Sequence, residues 1–380
     1  MGLFRNKPTR LNTVHALDRC PPEICEEIFT LACMDGGYTG RSLSLVSKYI
    51  RNASETVRFQ SIAVSGLAQV RALAAVLEGA SAHPHHVRHL FLSYCDPSRS
   101  ETPREARTSS NPGWPNIRGR FRRRQSYVET PSHGGEGWDK EQMKRLSSAR
   151  LSSERIQQAV TRIFRIVGHS LETLTMVMPQ SRGSVLPAIP LPVLTELTVY
   201  SIWGDQTTYI TPTLPYPSLR RLHLAGRYFH ESQIPEIASA CPSLTHLRLS
   251  GLEDGIHLPR PLKAILGLPH DIDKPHPIPT SLRHPSLQRV LVQPRPPAHF
   301  SSLLAYDIYR HALSGVPALL HRHREEDIIL LKPVIWGDID DCVADAKALW
   351  LDRLEGGLGC WVEKTRTTAD GFLSIDAPAF

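Results

Sequence analysis

Leu219-Arg220-Arg221-Leu222-His223-Leu224 and Leu244-Thr245-His246-Leu247-Arg248-Leu249 decide the fold. Each is an aliphatic residue, two others, an aliphatic, one other, an aliphatic. The phrase also reads Leu171-Glu172-Thr173-Leu174-Thr175-Met176 and Leu194-Thr195-Glu196-Leu197-Thr198-Val199, and it occurs at 87–92 and 287–292. Starts at 171, 194, 219 and 244 are 23, 25 and 25 residues apart. A period of that length predicts stacked strand-and-turn units, a solenoid, rather than a compact enzyme fold.

Energetics make the stacking obligatory. Burying three aliphatic side chains contributes roughly 1.5–3 kcal/mol each. Ordering a unit of ~25 residues costs several-fold more, at about 1–2 kcal/mol per backbone residue. One unit alone does not fold; neighbours joined through parallel strands share a core. Alternation predicts that the residues between the leucines line one exposed concave face. That face comprises Arg88, Glu172, Thr175, Glu196, Thr198, Arg221, His223, His246, Arg248 and Arg289. Its varied polar side chains suit the recognition of another protein.

Outward from the repeats the chain divides by composition. Residues 1–16 read as a flexible leader and 17–58 as a small helical module. Residues 59–95 read as strand, helix, strand, which implies parallel pairing through a right-handed crossover. Residues 96–150 hold ten Arg and two Lys against seven acids and few aliphatic residues. They are expected to be a disordered basic insertion. Residues 151–360 form the main solenoid with a helical end, and 361–380 read as a tail. Within it, the seven prolines of 251–285 predict an extended loop, a helix is expected over 300–315, and a last amphipathic helix over about 340–354.

In the helical module, Pro21-Pro22-Glu23 opens a helix: proline suits the first turn, and Glu23, Glu26 and Glu27 suit the positive end of its dipole. Ile24, Ile28, Leu31 and Ala32 make one apolar stripe. A second helical stretch carries Leu43, Val46, Ile50 and Ala53 on one face. Two short amphipathic helices need a third partner.

This module resembles an F-box domain. The residues carrying the likeness are Cys20-Pro21-Pro22-Glu23-Ile24, Glu27-Ile28-Phe29 and Ser42-Leu43-Ser44-Leu45-Val46-Ser47-Lys48. Cys20 stands where the family has leucine, and Ile50 where tryptophan is usual. Together with the repeats, the layout is similar to an F-box protein with a divergent leucine-rich-repeat domain of the fungal type. The resemblance implies an α/β leucine-rich-repeat-like solenoid of parallel strands behind an all-α module. It also implies a substrate-recognition subunit of a cullin-RING (SCF-type) ubiquitin ligase. Pro21, Pro22, Ile24, Ile28, Leu43, Leu45 and Val46 would dock the ligase adaptor, and the repeats would hold a protein substrate. The alternative is a repeat scaffold that binds proteins outside any ligase.

Signals for chemistry are weak, so no enzyme activity and no cofactor are expected. Gly168-His169-Ser170 lacks the second glycine of a nucleophile elbow. His230-Glu231 lacks the second histidine of a zinc-protease helix, since Ile234 takes that place. His83, His85, His86 and His89 crowd together without cysteines at ligand spacing. The seven cysteines form no CxxC pair, consistent with a reducing compartment. No apolar run near the amino terminus suggests secretion and none approaches a membrane span. A cytoplasmic or nuclear protein follows. Arg118, Arg120, Arg122, Arg123 and Arg124 are the strongest charge run: a nuclear-targeting signal, a solvated linker, or, less well supported, a nucleic-acid contact.

Overall fold

The structure is a computed structural model that describes residues 20–79, 86–95, 154–178, 188–201, 214–226, 233–252, 259–266, 284–295, 328–334, 336 and 339–362. Among the described residues, eight strands form one sheet in the order of the chain: β1 (Ser61–Ser65), β2 (His89–Ser93), β3 (Thr173–Val177), β4 (Glu196–Ser201), β5 (Arg221–Gly226), β6 (His246–Leu252), β7 (Arg289–Pro294) and β8 (Ile328–Leu330). Every neighbouring pair is parallel. Sequential order with parallel pairing is the stacking that the repeat predicts. The phrases stack in register, Leu197 on Leu222 on Leu247, so equivalent side chains form continuous columns.

Eight described helices accompany the sheet. α1 (Pro22–Ala32), α2 (Tyr38–Val46) and α3 (Lys48–Ala53) make the front module. α4 (Gly66–Gly79), α5 (residues 154–167), α6 (Gln233–Ala240) and α7 (Pro259–Leu266) cover one side of the sheet. The main core lies beneath them. The columns of Leu90, Leu174, Leu197, Leu222, Leu247 and Val290 pack with Val70, Leu77, Ile163, Phe164, Ile237 and Leu262. α7 falls inside the stretch expected to be an extended loop. Its prolines occupy the first turn, where the missing N–H has no helical partner anyway, so they open the helix rather than forbid it.

Each regular unit is entered by a tight turn of one sequence type: Leu191-Pro192-Val193-Leu194, Tyr216-Pro217-Ser218-Leu219, Cys241-Pro242-Ser243-Leu244 and His284-Pro285-Ser286-Leu287. In each, the N–H of the last residue bonds the carbonyl of the first. The serines link neighbouring turns: Ser218 donates to the Pro192 carbonyl at 2.6 Å, Ser243 to Pro217 at 2.6 Å and Ser286 to Pro242 at 3.2 Å. This polar ladder runs along the entry edge of the sheet and satisfies carbonyls that the turns leave free.

The far side of the sheet departs from expectation. It was expected to be an open concave face, yet the strands are buried on both sides. α8 (Ile339–Leu354) and the short 3-10 turn Gly359–Trp361 lie across it. Cys342, Ala346 and Trp350, one helical face at four-residue spacing, join Phe91, Val177, Tyr200 and Ala225 in a second core. The Phe91 and Trp350 ring centroids are 5.8 Å apart, and those of Tyr200 and Trp336 6.0 Å. Gly251, at φ +79°, lets Trp336 lie against the β6 backbone: a Cβ there would sit 2.4 Å from the ring. Trp361, placed by its number in the expected tail, is 6% exposed and packs with Leu291, Ile329 and Leu331. Residues 1–16, 96–150 and the 300–315 helix lie outside the described residues.

Trp350→Ala removes the largest side chain that α8 places on the sheet. We expect a loss of about 3–5 kcal/mol in urea unfolding. A loss below about 1 kcal/mol would show that this strap does not belong to the core.

Candidate interaction surfaces

Two regions could meet another molecule. In the front module, the second helical stretch of the sequence is two helices. The chain is extended at Ser47 (φ −156°, ψ 166°), whose side chain accepts the Ile50 N–H at 3.2 Å and starts α3. The break turns Ile50 and Leu43 inward and leaves Leu45 and Val46 outside. The module therefore contains its own third helix, and its small core is Cys25, Phe29, Ile50 and Val57. On α1 the inward face is Cys25 and Phe29, and the stronger apolar stripe points out. Ile24 and Ile28 are each 46% exposed, Leu31 81%, Tyr38 78%, Leu45 74% and Val46 63%. Pro21 and Pro22 are exposed beside them, and Leu43 is half-buried against the core. Leu31 and Tyr38 belong to the same exposed set, although the family likeness did not single them out. For Leu31 the signal was its place in the Ile24–Ile28 stripe; Tyr38, alone after Gly36-Gly37, offered none.

The module is fused to the sheet by polar contacts. The Ala63 N–H donates to the Gly36 carbonyl at 3.0 Å, Ser61 Oγ accepts the Gly36 N–H at 3.0 Å and donates to the Cys33 carbonyl at 2.6 Å. The α1–α2 loop thus occupies the outer edge of β1. Gly36 adopts φ +77°, and a Cβ there would lie 3.1 Å from that of Ala63 and 3.3 Å from Trp350.

The second region is what α8 leaves of the concave side. Half of the residues predicted to line an open face are buried under the strap: Thr175, Glu196, Thr198, His223 and Arg248 are 1–9% exposed. Their positions follow the alternation; their exposure does not, because a helix from the far end of the chain covers them. Glu196 is the polar pin of that cover. Its carboxylate accepts Arg353 Nε and Trp361 Nε1, each at 3.0 Å, and meets Arg221 at 3.6 Å. Arg248 donates to Ser250 and Gln293, and His223 meets Ser250 at 3.0 Å. Arg88 and Glu172 form a two-bond ion pair at 2.7 and 3.0 Å on the rim.

Arg221, His246 and Arg289 remain half-buried, opposite one another on β5, β6 and β7. With Leu291, Leu358, Trp361 and Val362 they line an open groove of about 390 Å³. The Arg221 guanidinium lies 5.9 Å from the Trp361 ring centroid, and the His246 ring stands edge-on to it at 6.0 Å. Leu358 and Trp361, in the expected helical end and tail, went unrecognised because no local pattern ties them to strands some 100 residues away.

Among the described residues no group of three or more His, Cys, Asp or Glu could hold a metal, and no helix is long and apolar enough to cross a membrane. His86 is exposed and His89 buried, so these two of the clustered histidines are set apart; His83 and His85 lie outside the described residues, as do His230 and the 118–124 run. Ser170 donates its hydroxyl to the Val87 and Val167 carbonyls at a strand entrance. No family model matches the chain, and neither a curated protein nor a solved structure matches it.

Burial lowers His89 to about 4, against the pull of Glu172 and with the help of Arg88 and Arg353. Burial first, and the Arg248 cation second, hold His223 well below the usual imidazole range as well. Both are neutral in the fold and gain a proton on unfolding once the pH falls below ~6.5. The unfolded chain then binds more protons, so stability is full above ~6.5 and declines as the pH drops toward 4. For His89 the shift corresponds to about 3 kcal/mol across that window. Urea midpoints should fall between pH 6.5 and 4.5, and more shallowly in His89→Gln. Equal slopes would mean that the His89 ring protonates within the fold.

Proposed function

We propose that this chain is the substrate-recognition subunit of a cullin-RING ubiquitin ligase, with residues 17–58 as its F-box and the sheet units as divergent leucine-rich repeats. The observation carrying the proposal is the apolar patch of Ile24, Ile28, Leu31, Tyr38, Leu45 and Val46 on a module whose core is already complete without them. Clustered exposure of large aliphatic side chains on one small module is the mark of a surface meant to be covered. Four of them, Ile24, Ile28, Leu45 and Val46, are among the residues that carry the F-box likeness, as are Pro21, Pro22 and Leu43. Ile50, where the family has tryptophan, fills the module core, so that departure acts on packing rather than on the docking surface.

In this reading the patch docks the ligase adaptor and the repeat domain holds a protein substrate. The gain is effective concentration: substrate and ubiquitin-loaded enzyme are held on one assembly, and this chain does no chemistry. The fusion of the module to β1 through Gly36 and Ser61 supports it, since a receptor must present its substrate in a defined direction. The cytoplasm or nucleus, where such ligases work, is the corresponding location. The substrate surface is the groove and rim rather than a full concave face.

The adaptor should capture the wild-type chain. Ile28→Asp and Leu45→Asp should each weaken capture at least tenfold, because a carboxylate in a dry interface costs several kcal/mol. Thermal unfolding should stay close to wild type, because both side chains are solvent-facing. A wild-type chain that fails to bind the adaptor would leave the repeat scaffold outside any ligase as the better reading.

A further inference from the structure

A separate surface lies on the helical side of the sheet. α5 divides its residues sharply between two faces. Ile156, Ala159, Val160, Ile163, Phe164 and Val167 are buried in the main core, while Arg155, Gln158, Arg162 and Arg165 are exposed. The outward four recur every three or four residues and form one stripe along the helix. Arg71, exposed on α4, stands beside it. Two open hollows of about 430 and 570 Å³ flank the stripe and share Gln158 and Arg162. Among the described residues lining them are four arginines and a single acid, Glu154. Arg162 is paired with Glu78 across the α4–α5 contact. Arg71, Arg155 and Arg165 form no side-chain hydrogen bond or ion pair among the described residues, so their charges are available.

The lining also shows what kind of partner fits. It contains no aromatic ring and no large apolar side chain. A protein partner ordinarily meets an apolar centre, whereas interfaces with nucleic acid are more polar and more positive. Without rings there is no stacking platform of the kind that holds single strands. Arg155 and Arg165 lie about 15 Å apart along the helix axis. That is comparable with the ~12 Å major groove of B-DNA, so the two side chains can reach phosphates on either side of a groove. The sequence places more charge of the same sign next to this face: residues 96–150, which precede α5, carry ten Arg and two Lys against seven acids.

We propose that the α4–α5 face binds the phosphate backbone of a nucleic-acid double helix, without reading its sequence, through Arg71, Arg155 and Arg165. Each guanidinium offers forked N–H donors to phosphate oxygens. Gln158, exposed between them, adds an uncharged donor. Arg162, held by Glu78, ties α4 to α5 and fixes the spacing of the other three. The contact leaves the concave side of the sheet free and is independent of adaptor docking.

Fluorescence anisotropy with the full chain tests this. The probes are labelled duplexes of about 20 base pairs, one DNA and one RNA, titrated between about 50 and 200 mM salt. Affinity should fall steeply with salt, and the tighter duplex identifies the sugar. In the combined variant Arg71→Gln, Arg155→Gln, Arg165→Gln, the slope of log K against log salt should flatten by about 2–3, roughly one for each lost phosphate contact. Affinity at the lowest salt should drop about tenfold or more. The three lysine replacements together should keep most of the slope, because the charge stays. All three positions are exposed, so circular dichroism and the unfolding midpoint should match wild type. No binding of either duplex, or an unchanged slope in the folded glutamine variant, would overturn the proposal. A single strand of equal length that binds as tightly as the duplexes would do the same. So would polyglutamate that binds more tightly than both duplexes and is lost in the glutamine variant, which would assign the face to an acidic protein. The adaptor takes no part in this assay, so its outcome and that of adaptor capture are read separately.

Discussion

A parallel sheet that carries apolar side chains on both faces cannot leave either open to water without losing the burial that holds it together. That constraint governs this molecule. The repeat phrases supply one apolar face, and α4 to α7 cover it. The other face carries Phe91, Val177, Tyr200, Ala225, Leu291 and Ile329, too much apolar surface to expose. The chain meets this demand from its far end, by laying α8 and the Gly359–Trp361 turn back over strands much earlier in the chain, with Trp350 against Phe91. Burial of Thr175, Thr198 and His223 follows from that cover, and so does the pinning of the strap by Glu196.

The same constraint acts at the edge of the sheet. β1 has a neighbour on one side only, and an open parallel edge invites pairing with another chain. The α1–α2 loop takes that place through the Ala63–Gly36 bond. This fixes how the front module sits and decides which side of α1 is spent on folding. Cys25 and Phe29 are used inward. Ile24, Ile28 and Leu31 are not needed there, and Leu45 and Val46 are turned out by the extended backbone at Ser47. An apolar patch that costs the module nothing in its own packing, on a module anchored at several points, is what a rigid docking element requires.

What was legible in the sequence was local or periodic. The strands at 171–176, 194–199, 219–224 and 244–249, their parallel order and the α5 stripe of Ile156, Val160, Ile163 and Val167 follow from spacing alone, because stacking rewards the same residue at the same place in each unit. The x-Pro-Ser-Leu turns were equally periodic, but they lie just before the leucine where the phrase was taken to begin. The cover of the concave side was not legible. Alternation reports which side of a strand a residue faces, and both Thr198 and Leu197 read correctly by that measure. It does not report what arrives on that side from elsewhere in the chain, and α8 presents Cys342, Ala346 and Trp350 to the sheet with only a weakly amphipathic pattern. The helix break at Ser47 was missed for a related reason: Leu43, Val46 and Ile50 fit one helical stripe, and a single extended residue is enough to send Val46 and Ile50 to opposite sides.

The groove lies where these two solutions meet. The strap is long enough to close the concave side over β2 to β4, and its last turn reaches the start of β5 to β7 through Trp361. Beyond Trp361 the first residues of three strands remain partly open, and they are Arg221, His246 and Arg289. Had the cover stopped before this turn, Leu291, Ile329 and Leu331 would have been left in water. Trp361 both ends the hydrophobic cover and forms one wall of the groove, so the geometry of the groove is tied to the stability of the sheet beneath it. The groove is therefore a corner of the fold shaped by the same side chains that close the sheet, several strands away from the front module at the β1 edge.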